Sequence, residues 1–289
     1  MTERVVFTSE GTRCVGQVYR AAHPSRHCIV MCTGFGGTQD TPALRATARD
    51  FATAGYHVLT FDYRSFGVSD GEPRQVMSVE GQLADIAAAV DRARGIEEVD
   101  SVMLWGTSLG GGHVVTAASR DPDIAAVIAQ IPFNGFPRKV EGRSTAATLK
   151  LLGVMVGDWL RGKLRLPPLY LSAVGGRGEF AVIASDEAQR VIAGMTSPTW
   201  RNQVAPRGLL EMLRYRPATV APSVACPVLV CIGAGDAETP PELAEALADA
   251  VPHSERKTHP VAHFDFYAEE VRPRIVADQI DFLRRITAA

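Results

Sequence analysis

The sequence predicts an α/β protein, in which a mostly parallel sheet of eight strands carries helices on its faces and a mainly helical insertion interrupts the series. Two observations carry that prediction. Short β-rich runs alternate with longer helical patterns, the signature of a sheet wrapped by crossover helices. The composition is that of an ordinary folded protein, with 46% hydrophobic and 21% charged residues over 289 positions, enough to build a sizeable core.

The strand candidates are residues 4–8, 13–19, 28–32, 57–61, 102–105, 126–130, 228–232 and 255–258. Ser9-Glu10-Gly11 between the first two reads as a hairpin turn, so the sheet opens antiparallel. Helical patterns follow at 44–54, 79–94, 109–119, 241–250 and 267–286. The alternation assigns residues 1–132 and 223–289 to one core domain. Residues 133–222 break it, mixing amphipathic pieces (146–160, 187–192, 208–215) with Pro167-Pro168 and Gly175-Gly176. A structureless loop of that length does not belong in a compact domain, so this stretch is expected to be a helical cap over one edge of the sheet.

Several functional classes are disfavoured. Thirty basic residues against thirty-two acidic ones give a net charge of −2. There is no clustered basic stripe of the kind nucleic acid requires. Arg outnumbers Lys twenty-six to four, which fits codon bias in a GC-rich genome better than phosphate binding. No apolar run reaches the roughly 18 residues that cross a bilayer, and the start lacks the apolar stretch of a signal peptide. Five cysteines at 14, 28, 32, 226 and 231, without CxxC spacing, read as buried reduced thiols rather than disulfides or a zinc site. The expectation is a cytoplasmic protein with a small-molecule substrate, no metal, no cofactor, and neither nucleic acid nor membrane as partner. A homodimer through the insertion or the last helix is compatible with the pattern but not required by it.

The most informative segment is Leu104-Trp105-Gly106-Thr107-Ser108-Leu109-Gly110-Gly111-Gly112. A strand runs straight into Gly-x-Ser-x-Gly and a helix follows. Such a tight turn strains its central residue, and small residues two before and two after relieve the crowding. Ser108 is therefore the candidate nucleophile, against the blander reading of a helix-capping serine. The same turn sets the Leu109 N–H at a helix N-terminus, where it can stabilise an oxyanion.

An activated serine needs a base and an orienting carboxylate, expected in the order serine, acid, histidine. Asp236 stands just past the strand 228–232, with Glu238 in reserve. Its alternative is to cap the helix starting at Pro241, a task Thr239 could do equally well. Of seven histidines, His263 falls in the loop between the last strand and last helix and is the candidate base. His113 would point away from the turn, and His259 reads as structural. The loop Thr33-Gly34-Phe35-Gly36-Gly37 lets backbone approach a substrate, and the Phe35 N–H is the candidate second oxyanion donor. The loop has no Gly-Lys-Ser/Thr ending, which disfavours phosphate binding. The stretch from Asp62 to Gly71 reads as stacked structural turns.

These residues resemble the α/β-hydrolase superfamily. Gly34-Phe35-Gly36-Gly37, the stretch from Phe61 through Ser69-Asp70-Gly71, Gly106-Thr107-Ser108-Leu109-Gly110-Gly111 and His263-Phe264-Asp265 match it in order, across nearly the whole chain. Within it the chain looks most like bacterial hydrolases related to the X-Pro dipeptidyl-peptidase group and the serine aminopeptidase-like lipases. The chain stops one helix after His263, so the C-terminal β-domain of larger members is not expected. Thr33 stands where the family usually has histidine, which bears on how the oxyanion loop is held. The resemblance implies an α/β-hydrolase fold and a serine esterase or thioesterase working through Ser108, His263 and Asp236 without a cofactor. An acyltransferase or peptidase using the same residues is the alternative, and a non-catalytic binding module the third. Met155, Trp159 and Tyr170 of the insertion are the candidate acyl-binding side chains, although such residues more often pack within an insertion.

Overall fold

The computed structural model describes residues 2–136, 145–185, 187–189 and 196–288. Eight strands form one sheet: β1 (Thr2–Ser9), β2 (Thr12–Tyr19), β3 (His27–Cys32), β4 (His57–Phe61), β5 (Ser101–Thr107), β6 (Ile124–Gln130), β9 (Val228–Gly233) and β10 (Ser254–His259). Their spatial order is β1-β2-β4-β3-β5-β6-β9-β10. β1 pairs antiparallel with β2 and β2 antiparallel with β4, while every other pairing is parallel. The hairpin and all eight strands lie where the sequence puts them.

Burial follows position in the sheet. β1 is an edge strand and alternates exposed and buried residues along its second half, whereas β5 is covered on both faces and buried from Val102 to Thr107. On one face lie α2 (Val79–Arg94), α3 (Leu109–Arg120) and α6 (Pro241–Ala250), packing Leu83, Ile86, Val114 and Leu247 on the sheet. On the other, α1 (Pro42–Thr53) and α7 (Arg272–Thr287) bury Phe51 and Phe282. Truncating either phenylalanine to alanine should cost about 3–5 kcal/mol. α2 starts where Ser78 accepts from the Gly81 N–H at 3.3 Å, with Glu80 in the first turn and Arg92 and Arg94 in the last, matching the helix dipole.

The last helix begins later than its periodicity suggests. Phe264–Tyr267 form a 3-10 turn, Ala268 is extended, and α7 starts at Arg272. Pro273 explains the restart, because proline lacks a backbone N–H and is tolerated in the first turn only.

Between β6 and β9 the chain forms α4 (Thr145–Lys163), a two-stranded sheet of β7 (Ser172–Gly175) and β8 (Ala181–Ala184), and α5 (Leu209–Met212) among 3-10 turns. Beside its helices the stretch carries this small sheet, in which Ala173, Val174 and Ala181 bury themselves as strand residues too short to show a period. The sequence reading of this stretch needs one correction: it is not confined to one edge, since Val174 and Ile183 stand over the ends of the central strands, in one cavity with Ser108. Of the 187–192 pattern, 187–189 are helical and the rest lies outside the described residues. α4 turns Leu151, Met155 and Asp158 inward while Leu149, Leu152, Val156, Trp159 and Leu160 face solvent. Asp158 anchors it, accepting from Arg207 Nε at 2.8 Å, Arg207 Nη2 at 2.9 Å and the Leu169 N–H at 2.6 Å. At the root of the stretch, Asn134 donates to the Leu243 carbonyl and accepts from the Ala218 N–H, both at 3.0 Å. Among the described residues no helix is long and apolar enough to cross a membrane.

Candidate active site

The site is built on the turn from β5 into α3. Ser108 has φ 55° and ψ −120°, a backbone region that L-residues rarely enter, costing about 1–3 kcal/mol. Its side chain makes no capping hydrogen bond, which sets the helix-cap reading aside. Its N–H donates to the Gln130 carbonyl and its carbonyl accepts from the Phe133 N–H, both at 2.9 Å, so the end of β6 and the segment just after it hold the strained turn. The glycines have steric causes. A Cβ on Gly106 would sit 2.1 Å from the Gly110 carbonyl oxygen, and one on Gly110 would sit 2.4 Å from the carbonyl oxygens of both Cys32 and Thr33. Gly34 lies against the Ser108 Cβ, 3.2 Å from where its own Cβ would be.

The turn after β10 and the turn after β9 bring His263 and Asp236 together. His263 Nδ1 is 2.7 Å from Asp236 Oδ2, and both side chains are almost wholly buried. Asp236 is held in turn: its Oδ1 accepts from the N–H groups of Glu238 (2.9 Å) and Thr239 (2.7 Å), and the Thr239 hydroxyl donates to Oδ2 at 2.8 Å. Neither Asp236 nor Thr239 caps α6, whose N-cap is Pro240. Burial alone would lower the His263 pKa, but Asp236, then Glu238 and Glu187, overcome it and raise it above its ordinary value. Glu238 is itself pushed up, chiefly by burial. The ring of His263 meets Phe264 and Tyr267 edge-on at 5.1 and 6.4 Å.

Ser108 and His263 line two cavities in common. A front cavity runs toward α1 and includes Leu44, Trp105, Thr107, Gln130, Phe266 and Tyr267. A rear cavity lies under the insertion and includes Leu109, Phe133, Phe136, Leu209, Met212 and Glu238. Phe35 borders both. Leu109 is the first residue of α3, so its N–H has no partner within the helix. Thr33, in the place of the usual histidine, donates its hydroxyl to the Gly37 carbonyl at 3.2 Å and closes the loop that carries Phe35.

The insertion residues chosen from sequence are not brought to the site. Met155 is packed in the core cluster, Trp159 and Tyr170 are about two-fifths exposed, and none of the three borders either cavity. A helix that buries one side and exposes an equally apolar side gives no sequence signal of which side faces a ligand. Phe133, Phe136, Leu209 and Met212 take that place instead, and only the Gly208–Tyr215 pattern hinted at two of them. Among the structural assignments, Asp62 is buried and accepts from Gln39 N, Gln39 Nε2 and Val68 N at 2.8–3.0 Å, stitching turns together. His113 is buried against Gln82 and Tyr215, and His259 lies 4.0 Å from Asp278.

Fold and site together define an α/β hydrolase. More particularly, residues 23–264 match the family model described as serine aminopeptidase S33, and the chain belongs to that family of serine hydrolases. It is 37% identical over 288 residues to the quorum-quenching protein AidA of Acinetobacter baumannii, covering 98% of this chain and 94% of that one. It is 30% identical over 270 residues to the polyketide transferase ATR5 of Stachybotrys chlorohalonatus, covering 89% and 88%. Its fold superposes on the crystal structure of the α/β hydrolase GrgF from Penicillium sp. sh18 with a TM-score of 0.83 over the full length of both chains, at 23% identity.

Proposed function

We propose that this serine hydrolase cleaves a carboxylic ester or thioester of a small-to-medium apolar acyl group through an acyl-enzyme on Ser108. The observation that carries the reading is the His263–Asp236 contact at 2.7 Å beside a serine held at φ 55° on the wall of the same cavities. In this reading Ser108 Oγ attacks the acyl carbonyl while His263 Nε2 takes its proton, and Asp236 holds the ring and stabilises the imidazolium. The N–H groups of Phe35 and Leu109 receive the oxyanion. His263 then protonates the leaving group, and a water, deprotonated by the same ring, releases the acid. Phe133, Phe136, Leu209 and Met212 suit an apolar acyl chain. Residues 133–222 act as the cap that shapes these cavities. A relative named as quorum quenching is consistent with removal of a small signal molecule. Five buried, unpaired thiols suit a reducing compartment, and we place the enzyme in the cytoplasm.

A second reading keeps the acyl-enzyme and changes the acceptor: acyl transfer, favoured by the transferase relative. The test is intact-mass labelling with a fluorophosphonate, followed by product analysis on 4-nitrophenyl and thioester substrates with and without an added alcohol. One adduct on the wild type and none on Ser108→Ala supports an activated Ser108. An unlabelled but folded wild type sinks both readings.

A further inference from the structure

A buried polar chain reaches the front cavity, and the chemistry above leaves it idle. Trp105 Nε1, which can only donate, lies 3.0 Å from Gln279 Oε1. That fixes the Gln279 amide, whose Nε2 donates to Gln130 Oε1 at 2.8 Å. Gln130 is fixed in turn, and its Nε2 donates to Thr107 Oγ1 at 3.1 Å. Thr107 Oγ1 then meets Tyr267 Oη at 2.8 Å. The two hydroxyls hold two hydrogens between them, and one is used in their mutual bond. The other meets no acceptor among the described residues, because Gln130 brings an N–H to Thr107 rather than an acceptor. This holds whichever oxygen donates to the other. Both residues border the cavity beside Ser108 and His263. Of the other threonines on this wall, Thr33 and Thr41 spend their hydrogens on the carbonyls of Gly37 and Thr38, while Thr47 accepts from Arg272 Nη1 at 3.4 Å, away from the polar chain.

We propose that Thr107 and Tyr267 form a subsite in the front cavity that donates one hydrogen bond to an acceptor oxygen of the substrate, a carbonyl or ether oxygen separate from the scissile ester. The inference rests on the serine-hydrolase reading of the same site. It narrows the substrate class to acyl compounds with a second oxygen a few bonds from the reacting carbon. A desolvated hydroxyl waiting for an acceptor selects against a substrate that brings only methylene, because the donor is then left unpaired.

The test uses two ester pairs that differ by oxygen in place of one methylene. On the acyl arm the pair is 4-nitrophenyl pentanoate and 4-nitrophenyl 3-methoxypropanoate. On the alcohol arm it is pentyl butanoate and 2-ethoxyethyl butanoate. The readout is the kcat/KM ratio within each pair, divided by the ratio of spontaneous alkaline hydrolysis, a quantity independent of the fraction of active enzyme. The wild type should favour the oxygen-bearing member of one pair. Thr107→Val/Tyr267→Phe, which removes both hydroxyls, should lower that ratio about 10-fold. Each single variant keeps one hydroxyl with its proton and should lose less, about 3-fold. Equal ratios for wild type and double variant in both pairs overturn the proposal. So does a wild type that prefers the oxygen in neither pair, a result that needs no variant to fold. If no ester is turned over in a manner Ser108→Ala abolishes, the serine-hydrolase reading fails first and takes this one with it.

Discussion

Nδ1 of His263 and Oδ2 of Asp236 are 2.7 Å apart, and Asp236 reaches that position with three other donors already bound to it. A carboxylate so held orients the ring without moving. Asp236→Asn should therefore leave the fold in place while lowering kcat for ester hydrolysis by about 10³–10⁴, because an amide favours the wrong tautomer. Glu238→Gln should cost less than tenfold. Steady-state kinetics on 4-nitrophenyl butanoate decides it, and equal losses in the two variants would mean that Glu238 shares the role.

The same carboxylates set the pH profile. In the proposed mechanism His263 must be neutral to act as base, and Asp236, Glu238 and Glu187 outweigh burial to hold its pKa above the ordinary 6.5. The rising limb of kcat/KM should have its midpoint above that value, and Glu238→Gln should move it down. A raised folded-state pKa stabilises the fold fully below the unfolded value near 6.5, and the contribution fades as pH rises through the folded one. The stability gap between wild type and His263→Gln should accordingly shrink with rising pH in urea titrations. A gap that widens across that window contradicts the assignment.

Glycines at the elbow and in the cap helix should answer oppositely to the same substitution. Gly110→Ala drives a Cβ to 2.4 Å from two backbone carbonyl oxygens that cannot yield, so a loss of about 3 kcal/mol or more is expected, or no soluble protein. A Cβ on Gly153, exposed within α4, meets nothing within 4 Å, so Gly153→Ala should gain up to about 1 kcal/mol. Thermal unfolding of the two variants side by side gives the answer.

What the sequence disclosed and what it withheld divide along local and non-local lines. Strands, the elbow glycines and the placement of His263 after the last strand depend on neighbours in the chain, and they were legible. Asp236 was legible as a carboxylate at a strand end, although its bonds to Glu238 and Thr239 were not. The start of α7 was misread because the pattern ran on through Tyr267, and only Pro273 marks the restart. The cavity walls were illegible: Phe133, Phe136, Leu209 and Met212 come from separate pieces of the insertion and meet only in the fold. Gln130 and Gln279, 149 residues apart, carry no motif, yet their contact orders the polar chain beside Ser108.

Thiol chemistry offers an independent reading of the whole molecule. All five cysteines are buried and free, and burial pushes Cys14, Cys28, Cys32 and Cys231 up to about 12 and Cys226 up to about 11. A thiol so protonated and covered does not attack a disulfide reagent. Ellman's reagent at pH 8 should therefore find close to zero thiols in the native protein and five in guanidinium. Rapid reaction of even one thiol in the native state would show that a core strand opens far below the global transition.

β6 and β9 are neighbours in the sheet, and everything between Gln130 and Val228 leaves and returns through that single seam, with Asn134 clasping both ends. Evolution, or a designer, can therefore swap this cassette for one of different length without rethreading any strand, because the serine, the acid and the histidine all lie outside it. Descendants of one such scaffold would diverge in what they accept long before they diverge in what they do to it. The obligations on each new cassette would be few: two chain ends a strand's width apart, an N–H in the place of Phe133 for the Ser108 carbonyl, a carboxylate in the place of Glu187, and a residue able to do the work of Asn134.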